Sequence, residues 1–165
     1  MIPPDTQTEL PFLAGVDDEG EPIFESLSVT VVDEEQGLVR LLRSPLFARN
    51  LASGDRIKVI NAATAEYRLE ERSGNLSIRV FSKEDIDPLA ETLTPALEKI
   101  DGALDLRHER ALVYSIHYSI GFQEIEDTLN DALKDYPYAV WYYGNVYDPE
   151  DGTTPIGWWL DIDEQ

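Results

Sequence analysis

The sequence predicts a mixed α+β protein, in which a small β-barrel-like part is followed by a ferredoxin-like βαββαβ part with an extra C-terminal strand. Short strand-like runs fill the chain up to about residue 81, and helical spacing of apolar residues then appears twice. We therefore predict a flexible leader over residues 1–22, a β-rich subdomain over 23–74 and a ferredoxin-like subdomain over 75–165. With 165 residues, 42% of them hydrophobic, the two subdomains can pack as one unit.

The N-terminal half is predicted to be a polar leader followed by strands. The run Asp-Asp-Glu-Gly-Glu at 17–21 is typical of a solvated turn, and the folded part is predicted to begin near Ile23. Alternating apolar and polar residues, separated by turn signals, then indicate strands. The predicted strands are 24–32, 38–43, 56–60, 66–71 and 76–81.

The C-terminal half alternates between helical and strand patterns. Apolar residues at helical spacing predict one helix within 82–100, beginning near Asp87-Pro88 and interrupted or kinked at Pro95. A second, strongly amphipathic helix is predicted over 122–136, where Pro137 ends it. Strands are predicted at 102–107 and 111–120, and a C-terminal hairpin at 138–147 and 156–161.

Charge limits the classes of partner. The net charge is −20, which repels nucleic-acid phosphates and anionic membranes, so we expect neither as a partner. Residues 83–165 carry a net charge of −14, against −6 for residues 1–82, and such a field favours a basic protein partner. The sequence has no cysteine, no signal-peptide pattern and no long apolar stretch, from which we expect a cytoplasmic protein.

Four segments of the N-terminal half carry a recognisable series of motifs. They are a Glu-containing strand at 24–27, a Pro-Leu-Phe-Ala turn within 39–48, a Gly-Asp turn within 51–57 and a Ser-Gly-x-x-Ser-x-Arg strand within 72–80. In this order they resemble the bacterial family called domain of unknown function 4265. In that family the position that matches Leu46 usually has an aromatic residue, and the position that matches Ser77 usually has Thr. The resemblance covers roughly residues 24–81 by motif and extends to about 145 by general pattern. It implies a bacterial domain and no particular activity.

The sequence shows no pattern of catalytic or metal-binding residues. The only histidines, His108 and His117, belong to no spaced ligand set, so we expect no metal and no cofactor. A pair of His117 with Ser115 or Ser119 is conceivable, but the sequence has no nucleophile elbow. We therefore expect a surface or interlayer histidine and a protein that is not an enzyme.

Two clusters of residue types distinguish the chain. Five bases, with Asp55 as the single acid among them, fall within residues 40–58, where they can either neutralise the acidic half or bind an anion. The last thirty residues hold eight of the sixteen aromatics, next to several acids. Such a composition is typical of a surface that binds a basic protein, although the same aromatics can also pack between the subdomains.

From these clusters we expect a non-catalytic interaction module that binds a basic partner, as an immunity protein or antitoxin-like inhibitor does. The predicted partner-binding residues are Trp141, Tyr143, Tyr147, Trp159, Asp148, Glu150 and Asp151. The alternative is a small-ligand-binding regulator or an enzyme, with a pocket between the two subdomains. The residues predicted for this anion or ligand pocket are Arg40, Arg43, Tyr114 and His117.

Overall fold

The first of two antiparallel sheets contains five strands that follow one another in chain order. The computed structural model describes residues 5–148 and 153–163. Each strand of this sheet pairs with the next one along the chain, and the described residues contain no closed barrel. The strands are β1 (Gln7–Val16), β2 (Pro22–Asp33), β3 (Leu38–Leu41), β4 (Arg56–Asn61) and β5 (Glu66–Glu71).

Strand β1 occupies the region for which a flexible leader is predicted, so the structure corrects that prediction. Residues 7–16 pair with β2, and the Phe12 side chain is only 1% exposed. Pro11 obscures the strand pattern in the sequence because proline lacks an N–H and is rare inside sheets. It is tolerated here because β1 lies at the edge of the sheet.

The core of the first sheet follows from the alternation of its strands. In β2, Leu27, Val29 and Val31 are buried while the residues between them are partly exposed. The rings of Phe12 on β1 and Tyr67 on β5 meet edge to face, with centroids 5.0 Å apart. The two outermost strands therefore approach each other, and the sheet curls around its own apolar face.

The second sheet has four strands, β6 (Asn75–Ser82), β7 (Ala103–His108), β8 (Ala111–His117) and β9 (Ala139–Tyr143), in the order β7-β8-β6-β9, all antiparallel to their neighbours. Two helices, α1 (Ile86–Glu98) and α2 (Phe122–Leu133), cover one face of it. Among the described helices, none is both long enough and apolar enough to cross a bilayer. A 3-10 turn (Tyr118–Ile120) lies between β8 and α2.

The central strand β6 is buried on both faces, which differ in chemistry. Ile78 and Val80 point to the helices and are fully buried in the larger core. Ser77 and Arg79, in alternate positions, point to the opposite face, towards the first sheet. The molecule thus places an arginine in the layer between its two sheets.

Helix α1 begins earlier than predicted and continues through its proline. The Asp85 side chain caps it by accepting a hydrogen bond from Asp87 N (3.0 Å), so the first helical residue is Ile86 rather than Pro88. Pro95 lies inside the helix, where it removes a hydrogen bond to the carbonyl of Glu91. Both residues are exposed, so solvent can satisfy that carbonyl.

The predicted C-terminal strand at 156–161 is wrong. Beyond an isolated bridge between Tyr147 and Pro155, the chain forms helix α3 (Trp158–Asp163). The Trp158 ring is buried, donates its Nε1–H to Asn145 O at 2.8 Å and lies under the guanidinium of Arg72. Because these contacts come from distant parts of the chain, the local apolar pattern could not predict the helix.

The structure predicts that Phe12→Ala lowers the free energy of unfolding by about 3–5 kcal/mol, since the change leaves a cavity in the first core. Phe24→Ala on β2 is the matched control, because Phe24 is 49% exposed. We expect the control to change stability by about 0.5 kcal/mol or less. Urea unfolding followed by circular dichroism measures both changes, and equal effects would contradict the buried position of β1.

Candidate functional site

A loop between β3 and β4 connects the two sheets, and we call residues 42–55 the bridging loop. The Glu25 carboxylate of β2 accepts three backbone hydrogen bonds from it, from Leu46 N (2.7 Å), Phe47 N (3.0 Å) and Ala48 N (2.8 Å). Backbone N–H groups of irregular segments need such partners when they are covered. Glu25 therefore fixes the shape of the loop from the side of the first sheet.

Two further carboxylates hold the ends of the bridging loop. Asp105 of β7 accepts hydrogen bonds from Ser44 N (2.8 Å) and Ser115 Oγ (3.2 Å), and burial raises its pKa. Asp55 accepts from Ala52 N (3.0 Å) and Ser73 N (2.9 Å), and burial raises its pKa too. Together these bonds connect the loop to the second sheet and to the start of β6.

Arg79 contacts the bridging loop from the second sheet. Its guanidinium donates hydrogen bonds to the carbonyls of Phe47 and Ala48, and the residue is only 8% exposed. Burial lowers its pKa to about 10, Glu25 opposes this effect and Arg49 adds to it. At neutral pH the guanidinium is therefore still a cation, and no ion pair joins it to a carboxylate of the described residues.

A cleft of about 580 Å³ opens next to Arg79, between the bridging loop and β9. Six of its twelve described lining residues are aromatic, and two of these rings, Phe47 and Tyr142, are each 56% exposed. The rings of Phe81 and Tyr142 lie 6.0 Å apart on the same face of the sheet. The described lining residues are Leu46, Phe47, Arg49, Arg79, Phe81, Glu126, Trp141, Tyr142, Tyr143, Gly144, Tyr147 and Asp148.

Of the predicted partner-binding residues, four line this one cleft: Trp141, Tyr143, Tyr147 and Asp148. β9 is an edge strand, so the cleft continues past it to Trp141 and Tyr143, whose side chains lie on the helical side. There Trp141 Nε1 donates to Asn130 (3.1 Å) and Tyr143 Oη donates to Glu126 (3.0 Å). Burial and the nearby Glu126 raise the pKa of Tyr143.

The remaining partner-binding predictions have other positions. The ring of Trp159 packs on Phe122 of α2, with centroids 5.0 Å apart, and does not line the cleft. Glu150 and Asp151 lie outside the described residues.

The residues predicted for an anion pocket are not brought together. Arg40 and Arg43 are exposed on and after β3, whereas Tyr114 is fully buried on the helical side of β8. There Tyr114 Oη pairs with Thr94 Oγ1 (2.7 Å), and burial raises the pKa of Tyr114 to about 12.

The fourth predicted residue, His117, is exposed at the end of β8, where its Nδ1 caps the 3-10 turn. It accepts a hydrogen bond from Ser119 N (3.2 Å) and lies 2.8 Å from Ser119 Oγ. Capping accounts for this histidine–serine contact. Within the described part of the chain, no three His, Asp or Glu side chains are placed to hold a metal ion.

Sequence reasoning missed Arg79, Phe47 and Tyr142 as site residues. A signal for the first two was present, because both lie in the motif segments that carry the family resemblance, as does Glu25. The structure shows that those segments meet at the bridging loop. Tyr142 had no such signal, since both faces of its strand carry aromatic residues.

For the loop we predict that Glu25→Gln lowers the free energy of unfolding by about 2 kcal/mol. One acceptor oxygen is replaced by an NH₂ group that faces a backbone donor, and hydrogen bonds to charged groups contribute about 1.5–3 kcal/mol. Glu35→Gln, in an exposed turn, is the control and should be nearly neutral. Urea unfolding compares the two, and an unchanged midpoint for Glu25→Gln would contradict the loop contacts.

Comparison with known proteins places the chain in a family. A crystal structure described as "Novel crystal structure of a hypothetical protein from Neisseria gonorrhoeae" matches 87% of this chain and 96% of that one, with a TM-score of 0.62 and 18% identity. At this identity the similarity shows the fold alone. No curated protein matches. The model of the family described as "Domain of unknown function (DUF4265)" matches residues 25–137, which confirms the resemblance noted above, and the chain belongs to this family.

Proposed function

We propose that the protein is a small-ligand-binding module whose ligand occupies the cleft between the bridging loop and β9. The cleft carries the proposal. Its volume of about 580 Å³ falls within the range of about 300–1,000 Å³ that is usual for small-ligand sites. Such sites combine apolar walls with a few polar groups, and this cleft combines six aromatic residues with Arg79 at its base.

The exposed rings of the cleft support this proposal. Phe47 and Tyr142 reach the cleft from two different elements, one from the bridging loop and the other from β9. Removing apolar area from water contributes a favourable free energy of about 25 cal/mol per Å², which rings left in water do not gain. A ligand that covers both rings regains that free energy, and its ring would stack on Tyr142 or Phe47.

The proposal includes a finer description of the fold. The chain order β6-α1-β7-β8-α2-β9 with the sheet order β7-β8-β6-β9 supports a ferredoxin-like subdomain over 75–165. The contact between Phe12 and Tyr67 supports a barrel-like curl of the first sheet. The ligand site would then lie at the boundary of the two subdomains. The absence of cysteine supports a cytoplasmic location.

A fragment titration tests the ligand-binding proposal. Aromatic fragments, both charged and neutral, are titrated into ¹⁵N-labelled protein. We expect amide shifts to cluster at Phe47, Tyr142 and Gly144. Phe47→Ser and Tyr142→Ser should each weaken binding about fivefold or more, because each removes an aromatic contact. Phe24→Ser, which removes a similarly exposed ring elsewhere, is the control. Shifts scattered over the surface, or none at all, would reject the proposal.

A second candidate is the binding of a basic protein, as an immunity or antitoxin-like inhibitor would do. One observation favours it: the acids of α1 and α2 are exposed on the side away from the sheet. They are Glu91, Glu98, Glu124, Asp127 and Asp131. Such a face would accelerate encounter with a cationic partner and lose that advantage in salt.

Charge reversal tests this second candidate. The wild type is expected to capture one specific basic protein from the native cytosol. We predict that the triple variant no longer binds this protein; its changes are Glu124→Lys, Asp127→Lys and Asp131→Lys. The control variant Glu9→Lys, Glu19→Lys and Glu21→Lys changes the charge equally on the first sheet and should retain it. Affinity capture with mass spectrometry at two salt concentrations gives the readout. Equal retention by both variants would reject the candidate.

A further inference from the structure

The base of the cleft contains a buried cation whose hydrogen bonds are incomplete. Arg79 Nε is covered and has no hydrogen-bond partner among the described residues, and the same holds for Ser77 Oγ beside it. The Arg79 guanidinium bonds only to the carbonyls of Phe47 and Ala48, and the bond to Phe47 is long, at 3.4 Å. Carbonyl oxygens carry partial charges, so they do not neutralise the cation.

The acidic group that acts on Arg79 is bonded to the bridging loop. Glu25 acts on Arg79 electrostatically, but its two oxygens accept the three N–H bonds of the bridging loop. Buried charges in proteins are normally paired with an opposite charge. The Arg79 guanidinium therefore lacks a carboxylate partner at the point where the molecule opens into a cleft.

Gly144 lies against the Arg79 guanidinium, which lines the cleft. A Cβ atom at position 144 would lie 2.9 Å from Arg79 Nε, 3.2 Å from Arg79 Cζ and 2.7 Å from Ser77 Oγ. The backbone of Gly144 is fixed on both sides, since its N–H donates to Ser77 O (2.8 Å) and its carbonyl accepts from Asn50 N (2.9 Å). Any side chain at this position would stand over the guanidinium.

We propose that the ligand of this cleft is an aromatic carboxylate, whose carboxylate pairs with the Arg79 guanidinium beside Gly144 while its ring packs on Tyr142 and Phe47. The inference rests on the proposed ligand-binding function and specifies its ligand class. A guanidinium and a carboxylate form charge-assisted hydrogen bonds, which are about twice as strong as neutral ones. Specificity would come from this pair and apolar affinity from the rings.

The net charge of the chain favours a single negative charge over a phosphate group. The cleft is lined by two acids, Glu126 and Asp148, and two bases, Arg49 and Arg79, whereas the whole chain carries a charge of −20. A dianionic phosphate would meet the repulsion of the acidic chain twice. A monoanionic carboxylate meets the repulsion once and matches the one buried cation.

Matched probe pairs test the inference. Benzoate, phenylacetate and 3-phenylpropionate are each titrated against ¹⁵N-labelled protein beside the corresponding neutral amide. We expect at least one carboxylate to bind about tenfold more tightly than its amide, with the largest amide shifts at Arg79 and Gly144. Inorganic phosphate, titrated separately, should bind more weakly than that carboxylate.

Two variants test whether the preference for a carboxylate over its amide arises at Arg79. Gly144→Ala should remove the preference for the carboxylate, because its methyl group would lie 2.9 Å from Arg79 Nε and must displace the guanidinium, while binding of the amide persists. Arg79→Gln should also remove the preference for the carboxylate. Because Arg79 holds the bridging loop, Arg79→Gln can fail to fold, and Gly144→Ala then decides the test. Ser26→Ala, on an exposed position of β2, is the control.

The possible failures separate the two proposals. If no probe binds, the ligand-binding function and the carboxylate inference are both rejected. If a carboxylate and its amide bind equally at the cleft, or if phosphate binds more tightly, the function stands and the carboxylate inference is overturned. A preference that persists unchanged in Gly144→Ala and in folded Arg79→Gln also overturns it, since the charge would then be recognised elsewhere.

Discussion

The relation between the two sheets depends on the bridging loop, whose backbone is held by charged side chains from both sides. Glu25 accepts three N–H groups of the loop, and Arg79 donates to two of its carbonyls. Asp105 and Asp55 hold its ends. Because these bonds satisfy both donors and acceptors of one irregular segment, the segment can remain covered without regular secondary structure.

The apolar contacts of the bridging loop are divided between the two sheets. Ala48 and Leu51 are buried in the core of the first sheet, and Leu46 packs with Ala111 and Val113 of β8. Apolar burial by the loop therefore adds to the polar bonds that join the two sheets. Together these contacts hold the bridging loop in place and shape the cleft. Arg79 contributes to these contacts although burial of its guanidinium carries a desolvation cost.

Much of the fold could be predicted from local sequence patterns, because those patterns record which face of each element is buried. The strand predicted at 66–71 coincides with β5, and the helix predicted from residue 122 begins there. The predictions failed where distant contacts decide the conformation. β1 is a strand because its Phe12 reaches Tyr67, and α3 is a helix whose Trp158 is buried between Arg72 and Tyr118.

The candidate site was less predictable than the fold for the same reason. Its residues come from the bridging loop, β6 and β9, which are neighbours only after both sheets have formed. Composition pointed to Trp141 and Tyr143, which the structure places on the helical side, with their polar atoms bonded to α2. The more exposed ring is their neighbour Tyr142, and period-2 alternation alone cannot tell which face of such a strand is covered.

The strong acidity of the chain and a buried arginine in its cleft have compatible roles. A net charge of −20 acts over about a Debye length, roughly 8–10 Å in physiological salt, and opposes every anion that approaches. The Arg79 cation acts at contact, where low dielectric strengthens its attraction. Long-range repulsion grows with the charge of the ligand, while the buried Arg79 guanidinium pairs with only one close anionic group. Such a combination admits singly charged, largely apolar anions and discriminates against polyanions such as nucleotides.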